Sequence, residues 1–158
     1  MIPNLFSKYP LPEKLPKTIN EVVKQLKKSK NKEQCLKEAY QILIKKYRGY
    51  KILTYLKFHH AFITNLNQLW LKSGFLHCTQ MNYLLRLLLV KSKHFKEKDI
   101  VPKYSLTYYT SPHQYLQVRI GKMKEIDLEN DKFVNVDIWG AANGIKFGDY
   151  ANGFFKSK

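Results

Sequence analysis

Two cysteines, five histidines and twelve acidic residues are the side chains available for nucleophilic, acid–base or metal chemistry. Cys78 stands out by position. It follows Gly74 and opens the apolar series Met81, Leu84, Leu85, Leu87, Leu88, Leu89 and Val90, so it falls at the start of a helix apolar on nearly every side. Unsatisfied amides and the positive end of the helix dipole favour an anion there, and a favoured thiolate is what makes a cysteine a nucleophile. The plainer reading is a buried structural thiol. Cys35 fits that reading better, on the inward stripe of a different helix.

A nucleophilic thiol needs a base. His77 adjoins Cys78, but successive helical side chains diverge by about 100°, which suits a residue leading into the helix better than a partner. His59 and His60 fall in another apolar stretch, and His94 lies beyond the far end of the Cys78 helix. His113 remains, directly after the turn signal Ser111-Pro112 and at the head of a strand pattern. Asp137 interrupts the series Val134, Val136, Ile138 near the end of a later strand. If those strands are antiparallel neighbours, His113 and Asp137 meet at one sheet edge, where a carboxylate would orient the imidazole. A short strand through Ile126 and Leu128 would make them parallel instead. Should Asp137 point elsewhere, Asp149 and Asn135 are the next candidates.

These positions depend on elements the pattern also predicts. Residues 1–16 hold Pro3, Pro10, Pro12 and Pro16 and read as an irregular arm. A helical part spans 17–92. Its first helix begins at Thr18 with Val22, Val23 and Leu26 on one face, and a second covers 32–47 with Ser29 or Asn31 as its cap. Residues 52–71 continue a mixed helical pattern, followed by the central helix. The strand-rich part spans 103–158, with strands over 104–110, 114–120 and 133–138. Helices followed by an antiparallel sheet make an α+β domain, one domain at this length.

The segments Gly74-Phe75-Leu76-His77-Cys78, Ser111-Pro112-His113-Gln114-Tyr115 and Asn135-Val136-Asp137-Ile138-Trp139-Gly140, with 35 residues from Cys78 to His113 and 24 more to Asp137, resemble the transglutaminase-like branch of the papain-like superfamily. The likeness is to its small bacterial members and covers roughly residues 31–155. It implies a thiol enzyme with Cys78 as nucleophile, His113 as base and Asp137 as its orienting acid. The expected reaction is attack on a peptide-like amide through an acyl-enzyme, with transfer to water or an amine, water being the default. Many members carry His-Ala-Trp where this chain has His113-Gln114-Tyr115, and their hairpin is shorter than 121–132. The Cys78 amide and one of Asn65, Gln68 or Trp70 are the candidates for an oxyanion hole.

Composition tests the rival readings. The 28 basic and 12 acidic residues give +16, which raises nucleic acid as a partner, yet 25 of the 28 are lysines, and only Arg48, Arg86 and Arg119 offer a guanidinium. A lysine-rich nucleic-acid-binding protein needs neither thiol nor triad. An inactive relative that keeps the fold for binding is the other rival. No C-x-x-C, H-E-x-x-H or spaced acidic cluster is present, so neither metal nor cofactor is expected. The N-terminal residues lack the apolar run of a secretory leader, so free thiols in the cytoplasm are expected. The longest apolar run, 83–90, contains Arg86 and is too short to span a bilayer. The C-terminal aromatics Trp139, Phe147, Tyr150, Phe154 and Phe155 either wall the cleft or pack on the sheet.

Overall fold

The computed structural model describes residues 9–63, 65–121 and 132–154. Helix α1 (Lys17–Leu26) starts behind Pro16 and one residue before the expected Thr18. Its inward stripe is Ile19, Val23 and Leu26, and Val22 is only half-buried, because spacing of four and three keeps to one face. Helix α2 (Lys32–Lys46) is capped by Asn31, whose Oδ1 accepts from the Gln34 amide at 2.8 Å. Ser29 instead donates to Glu38. Cys35 is fully buried in α2, and burial raises its pKa above the ordinary thiol value, leaving it the inert cysteine of the pair.

The stretch 52–71 breaks into three short pieces: α3 (Lys51–Leu56), a 3-10 turn (Phe58–Phe62) and α4 (Leu66–Leu71). Its apolar residues do not form one core-facing stripe. Ile52, Tyr55, Leu56, Phe58 and Phe62 are all more than half exposed. Two-residue parallel strands β1 (Tyr47–Arg48) and β2 (Gly74–Phe75) then aim the chain at the central helix. Gly74 has φ +89°, a conformation that glycine adopts without the Cβ penalty.

Helix α5 (Cys78–Lys91) buries ten consecutive residues, Gln80 to Leu89, and packs on α1, α2, α6 and the sheet. Arg86, the charge inside this apolar helix, is balanced by Glu97 at 2.9 Å and binds the Tyr9 carbonyl. Tyr9 also sets its ring edge-on to Tyr83, so the part of the proline-rich arm that is described lies along α5.

The sheet has order β3-β4-β5, all antiparallel: β3 (Ile100–Thr107), β4 (Ser111–Arg119) and β5 (Phe133–Val136). The first two strands begin earlier than their patterns suggest, while β5 begins at Phe133 as expected and stops short of Ile138. The hairpin turn is made by Tyr108 and Tyr109, both with positive φ (51° and 59°), whereas Ser111-Pro112 enters β4 as strand. Pro112 is tolerated because β5 covers only Leu116 to Arg119, so the head of β4 lacks a second neighbour that would need its amide. Helix α6 (Ile138–Ala141) follows at once and ends β5 at Val136. Antiparallel pairing of β4 with β5 settles the alternative in which they would be parallel. The strand considered through Ile126 and Leu128 lies outside the described residues, as does Phe155. Among the described residues the architecture is helices followed by sheet, and no helix is long and apolar enough to cross a membrane.

Candidate active site

Cys78 is the first residue of α5, and its backbone amide lies in the turn that has no intrahelical acceptor. The helix start is held rigidly. Gln80 accepts from the His77 amide through Oε1 at 3.2 Å, and its Nε2 donates to the carbonyls of His60 and Ile63 at 2.8 and 3.1 Å. His77 uses Nε2 on the Lys57 carbonyl at 2.9 Å, and burial depresses its pKa. His77 therefore braces the 57–63 segment against α5 and is not free to serve Cys78.

His113 lies in β4, 3% exposed, and Asp137 caps α6 at the same exposure. The ring Nε2 donates to Asp137 Oδ2 at 2.7 Å. Asp137 sits one residue past β5 instead of within it, and the consequence is a more exacting environment. Its Oδ1 accepts from the Gly140 amide at 2.7 Å and its Oδ2 from the Ala151 amide at 2.8 Å. Three donors thus fix one carboxylate. A Cβ on Gly140 would lie 2.6 Å from Asp137 Oδ2, so the α6 backbone closes on the carboxylate only because residue 140 is glycine.

Cys78 and His113 line the same cavity, and the thiol lies near enough to the ring to influence its charge. With Nε2 engaged by Asp137, Nδ1 is the ring nitrogen left to the thiol. Burial opposes charge on this ring, but the Asp137 carboxylate overrides it by charge and hydrogen bond, and Cys78 adds to the same effect, so the pKa is pushed from 6.5 up to about 10. Folding therefore takes up a proton at His113. The stability this group contributes is complete below about pH 6.5 and is lost as pH rises through about 10. Urea midpoints are expected to fall across that window in the native chain and to fall less in His113→Gln. Parallel declines in the two proteins would contradict the assignment.

The Trp139 indole covers His113, with centroids 5.0 Å apart. Its own seat is tight: a Cβ on Gly49 would meet Trp139 ring atoms at 2.4 Å. Asn82 of α5 donates to the Gln114 carbonyl at 2.9 Å and so ties the helix that begins at Cys78 to the strand that carries His113. Cys78, His113 and Trp139 line one cavity of about 160 Å³, closed on its other side by Lys51, Tyr55 and Phe58. The Tyr55 and Ser111 hydroxyls meet at its wall.

The structure thus brings together Cys78, His113 and Asp137 and leaves the other candidates apart. Asn65 caps α4, Gln68 is exposed, Trp70 is buried beneath α2's Lys46, and none of the three lines the cavity. His59 and His60 pack on one another in the 3-10 turn, away from that lining. Among the described C-terminal aromatics, Trp139 is the one that walls the cleft. Phe147 packs on Tyr40, Tyr150 stacks on Tyr115, and Phe154 lies against Tyr108 and Tyr109. Lys51 and Tyr55 were missed by sequence reasoning, and their signal was an aromatic, apolar stretch with no buried stripe to join. Among the described residues no group of three or more His, Cys, Asp or Glu is placed to hold a metal ion. No family model, curated protein or solved structure matches the chain.

Proposed function

We propose that this chain is a thiol enzyme of the transglutaminase-like kind, in which Cys78 attacks an amide or related acyl carbon. The observation that supports this most strongly is the buried His113–Asp137 pair at 2.7 Å, with Cys78 at the tip of a buried helix and on the wall of the cavity that His113 also lines. A structural cysteine needs neither a base nor a carboxylate behind that base. The helical part followed by an antiparallel sheet, with the nucleophile on its central helix, is the arrangement such an enzyme uses.

In the first half-reaction the Cys78 sulfur adds to the carbonyl carbon and the oxygen takes the negative charge. The Cys78 amide is one donor for it, and the Tyr55 hydroxyl on the cavity wall is the side chain suited to be the second. The C–N bond then breaks, and the Nδ1 proton of His113 passes to the departing amine. A thioester remains. Water or an amine attacks it, gives a proton back to Nδ1, and the C–S bond breaks to release the acyl product. Asp137 holds Nε2–H throughout, so the ring keeps its orientation while Nδ1 gains and loses the proton. Hydrolysis is the preferred second half, with a peptide or protein amide as substrate.

The test is capture of the thioester. Brief exposure to 4-nitrophenyl acetate is expected to give a burst of nitrophenolate equal to the enzyme and one acetyl group on the peptide containing Cys78, absent from Cys78→Ser. Chasing with glycinamide or with buffer alone separates transamidation from hydrolysis. Acetylation confined to lysines would refute the enzymatic reading.

A further inference from the structure

Resting on that thiol-enzyme reading, we infer that the cleft selects an acyl substrate carrying an apolar or aromatic group and, beyond it, a carboxylate that binds Lys51. The cavity at Cys78 is about 160 Å³, less than a ligand of ordinary size occupies. A second cavity of about 570 Å³ shares Lys51 with the first and is lined besides by Tyr50, Ile52, Leu53 and Tyr108. Lys51 belongs to both linings, so a substrate too long for the first cavity extends past its ammonium group.

The chemistry of the walls is one-sided. Tyr55, Phe58, Pro112 and Trp139 make the catalytic cavity largely apolar, and Ile52 and Leu53 continue that character beyond Lys51. Neither lining contains an acidic residue. Lys51 is their one lysine or arginine, and its Nζ is held over the Tyr108 ring, 2.8 Å from the centroid. A ring face holds an ammonium in place without neutralising it, so the charge stays available to an anion. Tyr108 itself is fixed by the positive-φ turn and by its edge contact with Phe154, 5.8 Å between centroids. A net charge of +16 raises the local concentration of anionic substrates in the same sense.

Three alkylating probes read these features separately: iodoacetamide, iodoacetanilide and 4-(iodoacetamido)benzoate. In each, the Cys78 sulfur displaces iodide from the same carbon, so the probes differ only in the aryl group and its carboxylate. Rates are read by mass spectrometry of the Cys78 peptide. The benzoate is expected to react about fivefold faster than the anilide, as for one partly exposed ion pair. That ratio should collapse toward one in Lys51→Met, and also in the unaltered protein at about 1 M salt, where the Debye length is about 3 Å. The salt arm needs no variant to fold. A benzoate-to-anilide ratio of one in the unaltered protein, or a preference that persists unchanged in Lys51→Met, would overturn the carboxylate assignment. If all three probes react slowly and His113→Ala leaves them unchanged, the thiol-enzyme reading fails. A Lys51-dependent preference surviving in that case would leave the cleft as an anion-selective binding site.

Discussion

Replacing His113 with alanine is expected to slow alkylation of Cys78 by iodoacetamide at neutral pH by about 100-fold or more, the usual contribution of a positioned base. In the intact chain the imidazole holds its proton well into the alkaline range, so a thiolate beside it is paired with a fixed cation. Without the ring, the rate should climb with pH as it does for a free thiol. The substitution also opens a void and leaves a buried carboxylate with two amide donors but without its cation, a loss of about 3–5 kcal/mol. Rates should therefore be compared below the unfolding transition, with His113→Gln as the variant that keeps most of the volume. If His113→Gln matches the intact chain in both rate and pH dependence, Cys78 is not coupled to this imidazole.

The second large effect is expected at Asp137→Asn, which keeps shape and volume while removing one acceptor. The Gly140 amide, the Ala151 amide and His113 Nε2–H all point at the carboxylate. An asparagine offers one oxygen and turns an NH2 toward whichever donor it abandons. Either the α6 cap is lost, or both Ala151 and the ring lose their partner. We expect destabilisation of about 2–4 kcal/mol, read from urea unfolding, because donors left facing a donor are buried. Alkylation should fall at least tenfold, since an unanchored imidazole is free to rotate or to take the wrong tautomer. A variant that is destabilised but still alkylated at the native rate would make Asp137 a structural cap alone.

The sequence made some of this legible for definite reasons. Cys78 could be placed at a helix start because Gly74 breaks the chain and a strongly apolar series follows, and α5 begins at that residue. Asn31 could be offered as a cap alongside Ser29 because both are short polar side chains, and only the structure shows that Asn31 is the one that reaches the Gln34 amide. The hairpin could not be placed by propensity. Two tyrosines with positive φ form the turn, a conformation their type rarely adopts, so the Ser111-Pro112 signal drew the turn too far along the chain. Asp137 looked like a strand residue because its neighbours alternate, whereas α6 starts immediately after it and makes it a cap. The α3 region misled for the opposite reason. Its apolar residues suggested burial, but they face outward, and Lys51 and Tyr55 from the same stretch line the cavity.

The threefold engagement of Asp137 has an evolutionary consequence. Cys78 is one thiol at a helix tip, and serine or alanine would fit in its space with little cost to folding. Asp137 secures the start of α6, the Ala151 segment and the His113 ring together. If the proposed chemistry is lost in some lineage, drift would therefore replace Cys78 first and keep the His113–Asp137 pair, which the fold itself uses. Descendants with a substituted position 78 and an intact histidine and aspartate would be the expected form of such a lineage.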